Sequence, residues 1–338
     1  MHNNSNNSLN IKLESSLVSV VIPTYNRSFS ILDSINSVIC QSYKNVEIII
    51  VDDGSVDDTE LLIKKLVLEN NNIKYIKQKK SGACTARNYG LSVSNGDYII
   101  FLDSDDILMP NHIETYCETA KKNIGCCVYG AWEKYKFSSG AYELMFASQC
   151  CGSDDMLEEW LKGWWVFTSC IMWPKNVLQE IGGWDVLLNA DQDGDIAMRA
   201  LINGTKFIYC LEALPVKIVY HVGLDSISAM RSLSKLRSRQ LLMMKIERLL
   251  IDKNMYGKKY KKALAIRYYN LSYHNLEDFP EFSDECYEKF KSLNYFGRPP
   301  GSVLNWIFVF LLGLRRKERF SRMLKCFFSS SYSDDKAP

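Results

Sequence analysis

Three carboxylates fall within four residues at the end of the segment YIIFLDSDDILMP (98–110): Asp103, Asp105 and Asp106. Like charges packed this closely repel one another, so they need either full solvation or a bound cation. Two carboxylates spaced two residues apart in a loop can reach one hard divalent ion while leaving it open positions for phosphate oxygens. A solvated turn is the alternative. A second acidic cluster, VDDGSVDD (51–58), offers Asp53 beside a turn at Gly54, with Ser55 and Asp57 suited to a helix N-terminus. Turn and cap chemistry accounts for Gly54, Ser55 and Asp57 but not for two consecutive aspartates; an acid here can accept hydrogen bonds from a base or a ribose. In a third cluster, DQDGDIAMR (191–199), Asp191, Asp193 and Asp195 all favour the positive end of a helix.

The elements that must position these clusters follow from the apolar pattern. From Leu17 to Leu102, short β-branched runs (LVSVVIP, VEIIIV, IKYIKQ, DYIIFL) alternate with amphipathic ones. Ile31, Ile35 and Val38 mark one helix, Leu61 to Leu68 a second, and Ala83 to Ser94 a third. Continuous apolar strands separated by helices predict a doubly wound, mainly parallel α/β sheet buried on both faces. In such a sheet ligands bind beyond the carboxyl ends of the strands. PTYNR, DDGSVDD and DSDD all fall there, on one rim.

Beyond Pro110 the pattern is mixed. It has a helix to about Lys122, the strand-like CCVYGAWEKY, an acidic helix near Asp154 to Lys162, and the apolar run VFTSCIMW. A helix around Asp193 to Leu201 ends at Asn203-Gly204. From about Ala229 the chain reads as helical and rich in Lys, Arg and Tyr.

Composition narrows the class. The 338 residues are 47% hydrophobic and 24% charged, as in ordinary globular proteins, with a net charge of only +2. No global field therefore recruits nucleic acid. The 11 cysteines are scattered and odd in number, and with only four histidines and no CxxC pair neither a disulfide scaffold nor a structural zinc site is expected. Residues 1–16 read as a disordered polar tail rather than a signal peptide, and no run of about 18 apolar residues spans a bilayer. A cytoplasmic setting is expected.

VSVVIPTYNR, QSYKNVEIIIVDDGSVDDT, SGACTARNYGLSVSNGDYIIFLDSDDILMP and IGGWD…DQDGDIAMRAL, in that order, resemble glycosyltransferase family 2, including enzymes that build bacterial polysaccharide and cell-envelope glycans. The match covers about residues 17 to 225. The resemblance implies a GT-A type, Rossmann-like, mainly parallel sheet flanked by helices. It has a nucleotide-binding half (17–110) and an acceptor half (111–225), followed by a helical C-terminal region (226–338). It implies transfer of a sugar, with inversion, from a nucleoside-diphosphate sugar of the UDP class to a hydroxyl of a glycan or lipid-linked acceptor, with Mn²⁺ or Mg²⁺ as cofactor. Pro23, Thr24 and Tyr25 then match the first nucleotide loop, Asp53 the acid at the uracil or ribose side, and Arg87 and Asn88 the pocket lining. Asp105 matches the direct metal ligand, with Asp103 beside it nearer the ribose, and His221 can complete the shell. Asp193 matches the catalytic base, with Gln192 standing where the family usually has Glu. For Asp193 a plain cap, and for His221 a hydrogen-bonded structural role, are the alternatives. Trp184 and the tryptophans of GWW (163–165), Trp164 foremost, are candidate sugar platforms or core residues, with Asp185 beside Trp184 on the acceptor side.

Two other functions compete. A dinucleotide-dependent oxidoreductase would need G-x-G-x-x-G after the first strand, where PTYNRS stands instead. A non-catalytic sugar-nucleotide scaffold would be expected to lack Asp105 or Asp193, and both are present. Residues 302–322 join an apolar stretch to Arg315, Arg316, Lys317 and Arg319, suited to lying in a bilayer interface as a peripheral contact or to packing as a buried helix.

Overall fold

The computed structural model describes residues 16–138, 140–148, 150–151, 153–221 and 232–293, with the side chain of His221 also outside the description. The expected tail and the 302–322 segment lie outside the described residues. Two compact units form. One holds the residues up to Trp160 together with Trp164–Asn254, and the other holds Leu161–Gly163 with the residues from Met255 on.

The first unit is built on a seven-stranded sheet of order β3-β2-β1-β4-β8-β5-β9. Strands β1 (Val18–Thr24), β2 (Val46–Asp52), β3 (Ile73–Lys77) and β4 (Tyr98–Phe101) run parallel. Helices α1 (Ile31–Ile39), α2 (Thr59–Glu69) and α3 (Ala83–Val93) are the intervening crossovers. Val20, Val21, Ile22, Ile48, Ile49 and Ile50 are fully buried, as strands covered on both faces require. On α1 the stripe Ile31, Ile35, Val38 is the buried one. Beyond β4 lies α4 (His112–Lys122); β8 (Ile171–Pro174) is antiparallel to β4 and to β5 (Cys127–Tyr129), and β9 (Phe207–Tyr209) pairs parallel with β5.

CCVYGAWEKY is not one strand. It breaks after β5 at Gly130, a position that has no room for a side chain: a Cβ there would sit 2.5 Å from the Tyr116 hydroxyl, which donates to Cys170 O. The chain then leaves the large sheet as β6 (Trp132–Ser138). This strand pairs antiparallel with β7 (Ala141–Ala147) and parallel with β10 (Val216–His221) in a second sheet. VFTSCIMW likewise divides, into a 3-10 turn over Thr168–Cys170 and then β8. Helices α5 (Met156–Lys162) and α6 (Lys175–Glu180) flank it, and α7 (Gln192–Ile202) follows. The first unit runs past residue 225 to take in α8 (Leu233–Asp252).

In the second unit, α9 (Lys258–His274) and α10 (Pro280–Ser292) pair, with Tyr269 packed among Leu276, Tyr287 and Phe290. Among the described residues no helix is long and apolar enough to cross a membrane.

Candidate active site

The register brings the carboxyl ends of β1, β2 and β4 together. Thr24 lies beside Asp52 and Val21 beside Phe101; Asp53 N donates to Thr24 O at 2.8 Å. The first two rim loops are laced by side chains. Ser55 Oγ, Thr59 Oγ1 and Asp57 Oδ2 accept the N–H groups of Asn26, Arg27 and Ser28, and Asn26 Oδ1 accepts Val56 N. This lacing fixes Pro23, Thr24 and Tyr25 at the strand end. The Thr24 hydroxyl is buried without a hydrogen-bond partner among the described residues, and the Lys80 ammonium lies 3.8 Å from the Tyr25 ring centroid.

Both consecutive aspartates shape loops. Asp52 accepts Ser55 N and the Tyr75 hydroxyl. Asp53, 5% exposed, accepts the Gln78 amide and the N–H groups of Ser81 and Gly82. Asp53 thereby sets the turn that launches α3, the helix carrying Arg87.

The DSDD loop divides its labour. Asp106 is buried: it accepts the Ser169 hydroxyl at 2.6 Å and Val219 N at 3.4 Å. Burial, then Asp105 and Asp103, push its carboxyl well up. It ties the acidic loop to the 3-10 turn and to β10, whose Lys217 exchanges two main-chain hydrogen bonds with Ile107. Asp105 is raised to about 6 by burial and by Asp103, against the pull of Arg27 at 3.7 Å. Asp103 accepts Arg87 Nη2 at 2.7 Å.

Two mutually repelling carboxylates, one raised to about 6, form a donor set that fits a hard divalent cation completed by phosphate oxygens and water. No cluster of three or more His, Cys, Asp or Glu side chains with metal-holding geometry occurs among the described residues. His221 ends β10, two residues beyond Val219.

Arg87 is the hub. It is buried, pairs with Asp103, reaches Gln192 Oε1 at 3.5 Å and lies 4.5 Å from the Trp184 ring. Trp184, 2% exposed and edge-on to Phe101 at 5.1 Å, carries Arg87 on its face. It offers no open face to a sugar. Asn88 holds the Trp184 main chain from both sides, Nδ2 to Trp184 O and Trp184 N to Oδ1, each at 2.8 Å. The fit demands glycine at Gly183, where φ is +67° and a Cβ would meet Asn88 Oδ1 at 2.6 Å. Asp185 accepts Lys245 Nζ at 2.6 Å and Leu187 N at 3.0 Å. Trp164 is half-buried, edge-on to Tyr129 and Trp160.

Asp193 sits in the first turn of α7, half-buried. Burial raises its carboxyl to about 6, with Asp103 and Asp191 adding to the rise, while Arg87 and the Thr168 N–H pull down. Its helix is anchored by pairings that sequence reasoning missed. Asp195 is 1% exposed and pairs with Arg199 at 2.6 Å and Lys245 at 2.7 Å. Arg199 also donates to Ile181 O and Gly183 O. From α8, Ser238 Oγ accepts Asn189 N and Ala190 N, and Arg239 pairs with Asp191, whose φ is +54°. These partners lie 48 to 60 residues from what they hold, and nothing in the periodicity of α8 singles them out.

Residues 19–182 match the family model described as glycosyl transferase family 2. Glycosyltransferase GlyG of Streptococcus pneumoniae is 34% identical over 160 residues, 46% of this chain and 53% of that protein. The Escherichia coli enzyme named UDP-Glc:alpha-D-GlcNAc-diphosphoundecaprenol beta-1,3-glucosyltransferase WfgD is 39% identical over 118 residues, 35% of this chain and 46% of that one. The chain thus spans about half the length of these relatives. Among solved structures, Staphylococcus aureus TarS 1-349 in complex with UDP-GlcNAc superposes with a TM-score of 0.65 at 16% identity, covering 82% of this chain and 81% of that one. GalNAc-T7 with UDP, GalNAc and Mn²⁺ gives 0.56 at 17%, covering 83% and 55%. The match over residues 19–182 gives this chain a glycosyltransferase family 2 domain, and the sheet order and the likeness to TarS give it a GT-A type fold.

Proposed function

We propose that the chain transfers a sugar from a UDP-sugar to a hydroxyl of a glycan or lipid-linked acceptor, with inversion at the anomeric carbon, in assembly of a cell-envelope polysaccharide. One observation carries this: a single buried guanidinium, Arg87, joins Asp103 on the donor rim to the first turn of α7, where Asp193 stands. The departing diphosphate and the attacking hydroxyl of a displacement need opposite help, and Arg87 sets the two suppliers at a fixed spacing.

Asp193 takes the proton of the acceptor hydroxyl as its oxygen attacks the anomeric carbon; the bond to the diphosphate breaks and its electrons leave on the phosphate oxygen. A base near pKa 6 is ionised at neutral pH yet basic enough to accept that proton. Asp103 and Asp105 would hold Mn²⁺ or Mg²⁺, which supplies neutralisation of the diphosphate charge. The loop 23–25, with the Thr24 hydroxyl free to donate or accept, takes the nucleoside. WfgD acts on a diphosphoundecaprenol-linked sugar by its name, and TarS is solved with UDP-GlcNAc; both agree with this choice of donor and acceptor class. A lipid-linked acceptor would be met at the inner face of the membrane, with residues 302–322 as the peripheral contact.

Calorimetry with UDP-, GDP- and dTDP-sugars, with and without Mn²⁺, tests the donor. Asp193→Asn is expected to keep donor affinity and to lose roughly 10²–10⁴ of transfer. Undiminished turnover in that variant would remove Asp193 from the role of base.

A further inference from the structure

One aromatic group near the base is unlike the buried ones. Trp165 is 46% exposed and stacks on Trp132 with ring centroids 5.0 Å apart and planes at 19°. Trp132 is buried beneath it, with Phe146 at 5.4 Å and Phe167 edge-on at 4.9 Å; Phe167 also meets Trp165 edge-on at 4.6 Å. A ring backed by a second ring on one side and braced at its edge is held flat, with its outer face turned to solvent. Trp164 is half-buried and perpendicular to two neighbouring rings, and Trp184 lies beneath Arg87.

The plate is also placed by the chain. Three residues after Trp165, the N–H of Thr168 donates to Asp193; one residue further, Ser169 binds Asp106 and Asp103 N. Three residues of extended chain reach at most about 10 Å, a span that one or two sugar units cover. The Thr168 hydroxyl, buried without a partner among the described residues, lies on the same path.

We propose that Trp165, stacked on Trp132, is the plate on which a pyranose ring of the acceptor lies, with its apolar C–H face against the indole and a hydroxyl turned toward Asp193. The inference rests on the transfer activity proposed above and names the acceptor subsite of that same centre. Apolar burial against an indole favours a ring with several axial C–H bonds on one face and disfavours flexible polyols of equal size. Because the ring contacts only the acceptor, its loss leaves the donor side untouched.

The test uses the full chain with UDP present, methyl β-D-glucopyranoside and methyl N-acetyl-β-D-glucosaminide as probes, and sorbitol as control, read by saturation-transfer NMR. Wild type and Trp165→Phe are expected to pass saturation to the C–H protons of at least one glycoside and not to sorbitol. Trp165→Ala uncovers the Trp132 ring one layer deeper, so Trp165→Glu is made as well, its carboxylate standing over that second ring. In Trp165→Glu the glycoside signal is lost, and transfer to a synthetic GlcNAc-diphosphoryl-undecyl acceptor shows an acceptor KM raised roughly tenfold to a hundredfold, while UDP affinity stays within twofold. Phenylalanine restores most of it. An unchanged signal in Trp165→Glu, or a signal absent already in wild type, overturns the plate. Absence of UDP binding in wild type overturns the donor assignment instead.

Discussion

Replacing Lys245 by methionine isolates the clamp behind the base. Lys245 Nζ lies 2.7 Å from Asp195 Oδ1 and 2.6 Å from Asp185 Oδ2, joining α8 to α7 and to the loop after Gly183. Removing one partner of a buried ion pair costs about 3–5 kcal/mol, because the stranded charge keeps its desolvation penalty. Here Arg199 still holds Asp195 Oδ2, and Asp185 still accepts Leu187 N, so about 2–3 kcal/mol is expected. For a unit of this size each kcal/mol lowers Tm by about 2–4 °C, giving a fall of roughly 4–12 °C. Calorimetric melting of Lys245→Met reads the shift, and Asp195→Asn in the same background closes a double-mutant cycle. The pair is expected to recover more than about 1 kcal/mol relative to additivity, since a neutral amide no longer needs the cation. A melting point within a degree of wild type, or strict additivity, would refute the view that Asp195 depends on α8.

Below pH 6 both Asp105 and Asp193 take up protons, so kcat/KM is expected to fall with a slope approaching two at low Mn²⁺ and nearer one at saturating Mn²⁺, which competes with the proton at Asp105 only. Because both folded pKa values are raised above the unfolded ones, these carboxyls add stability as pH drops through 6; a pH–rate profile and urea midpoints at pH 7 and 5 check both signs, and an acidic limb near 4 would contradict them. Asp106, pushed well up by burial and by its two acidic neighbours, is expected to tolerate asparagine at a cost under about 1 kcal/mol, whereas alanine strands Ser169 and Val219 N and costs about 1–3 kcal/mol. Urea midpoints of the two variants decide; equal losses would mean that the carboxyl is charged in the fold.

The rim was legible because β1, β2 and β4 are buried on both faces. Runs such as VSVVIPT and YIIF have one structural meaning, and the polar residues that end them must gather at one edge. The α1 stripe was legible for a similar reason, its period being local. What stayed hidden depends on contacts distant in sequence. Gly130 ends a strand-like run at a point where Tyr116, from α4, leaves no room for a Cβ. Strand β7 is exposed along its whole length, so its apolar residues carry no inward period to read. Trp184 and Trp165 are the same residue type in similar local settings. Only the tertiary neighbours, a guanidinium over one and solvent over the other, separate a core ring from an open one.

The same distinction bears on what holds Asp193. Within the matched segment 19–182 lie Arg87, Asp103 and Thr168, which set the charge around Asp193. Outside it lie α7 itself and Ser238, Arg239 and Lys245 of α8, which set its position. Asp191 enters α7 with φ at +54°, a conformation that costs a non-glycine residue about 1–3 kcal/mol unless neighbours enforce it. Arg239 on its carboxylate and Ser238 on the two preceding N–H groups are those neighbours. The donor rim is therefore stabilised by local strand and loop contacts, whereas the base is held by a helix more than forty residues downstream. Changes in α8 are expected to act on transfer while leaving the nucleotide side intact, because among the described residues the side-chain hydrogen bonds that shape loops 23–28, 52–59 and 78–82 come from within those loops and from neighbouring strand and helix residues.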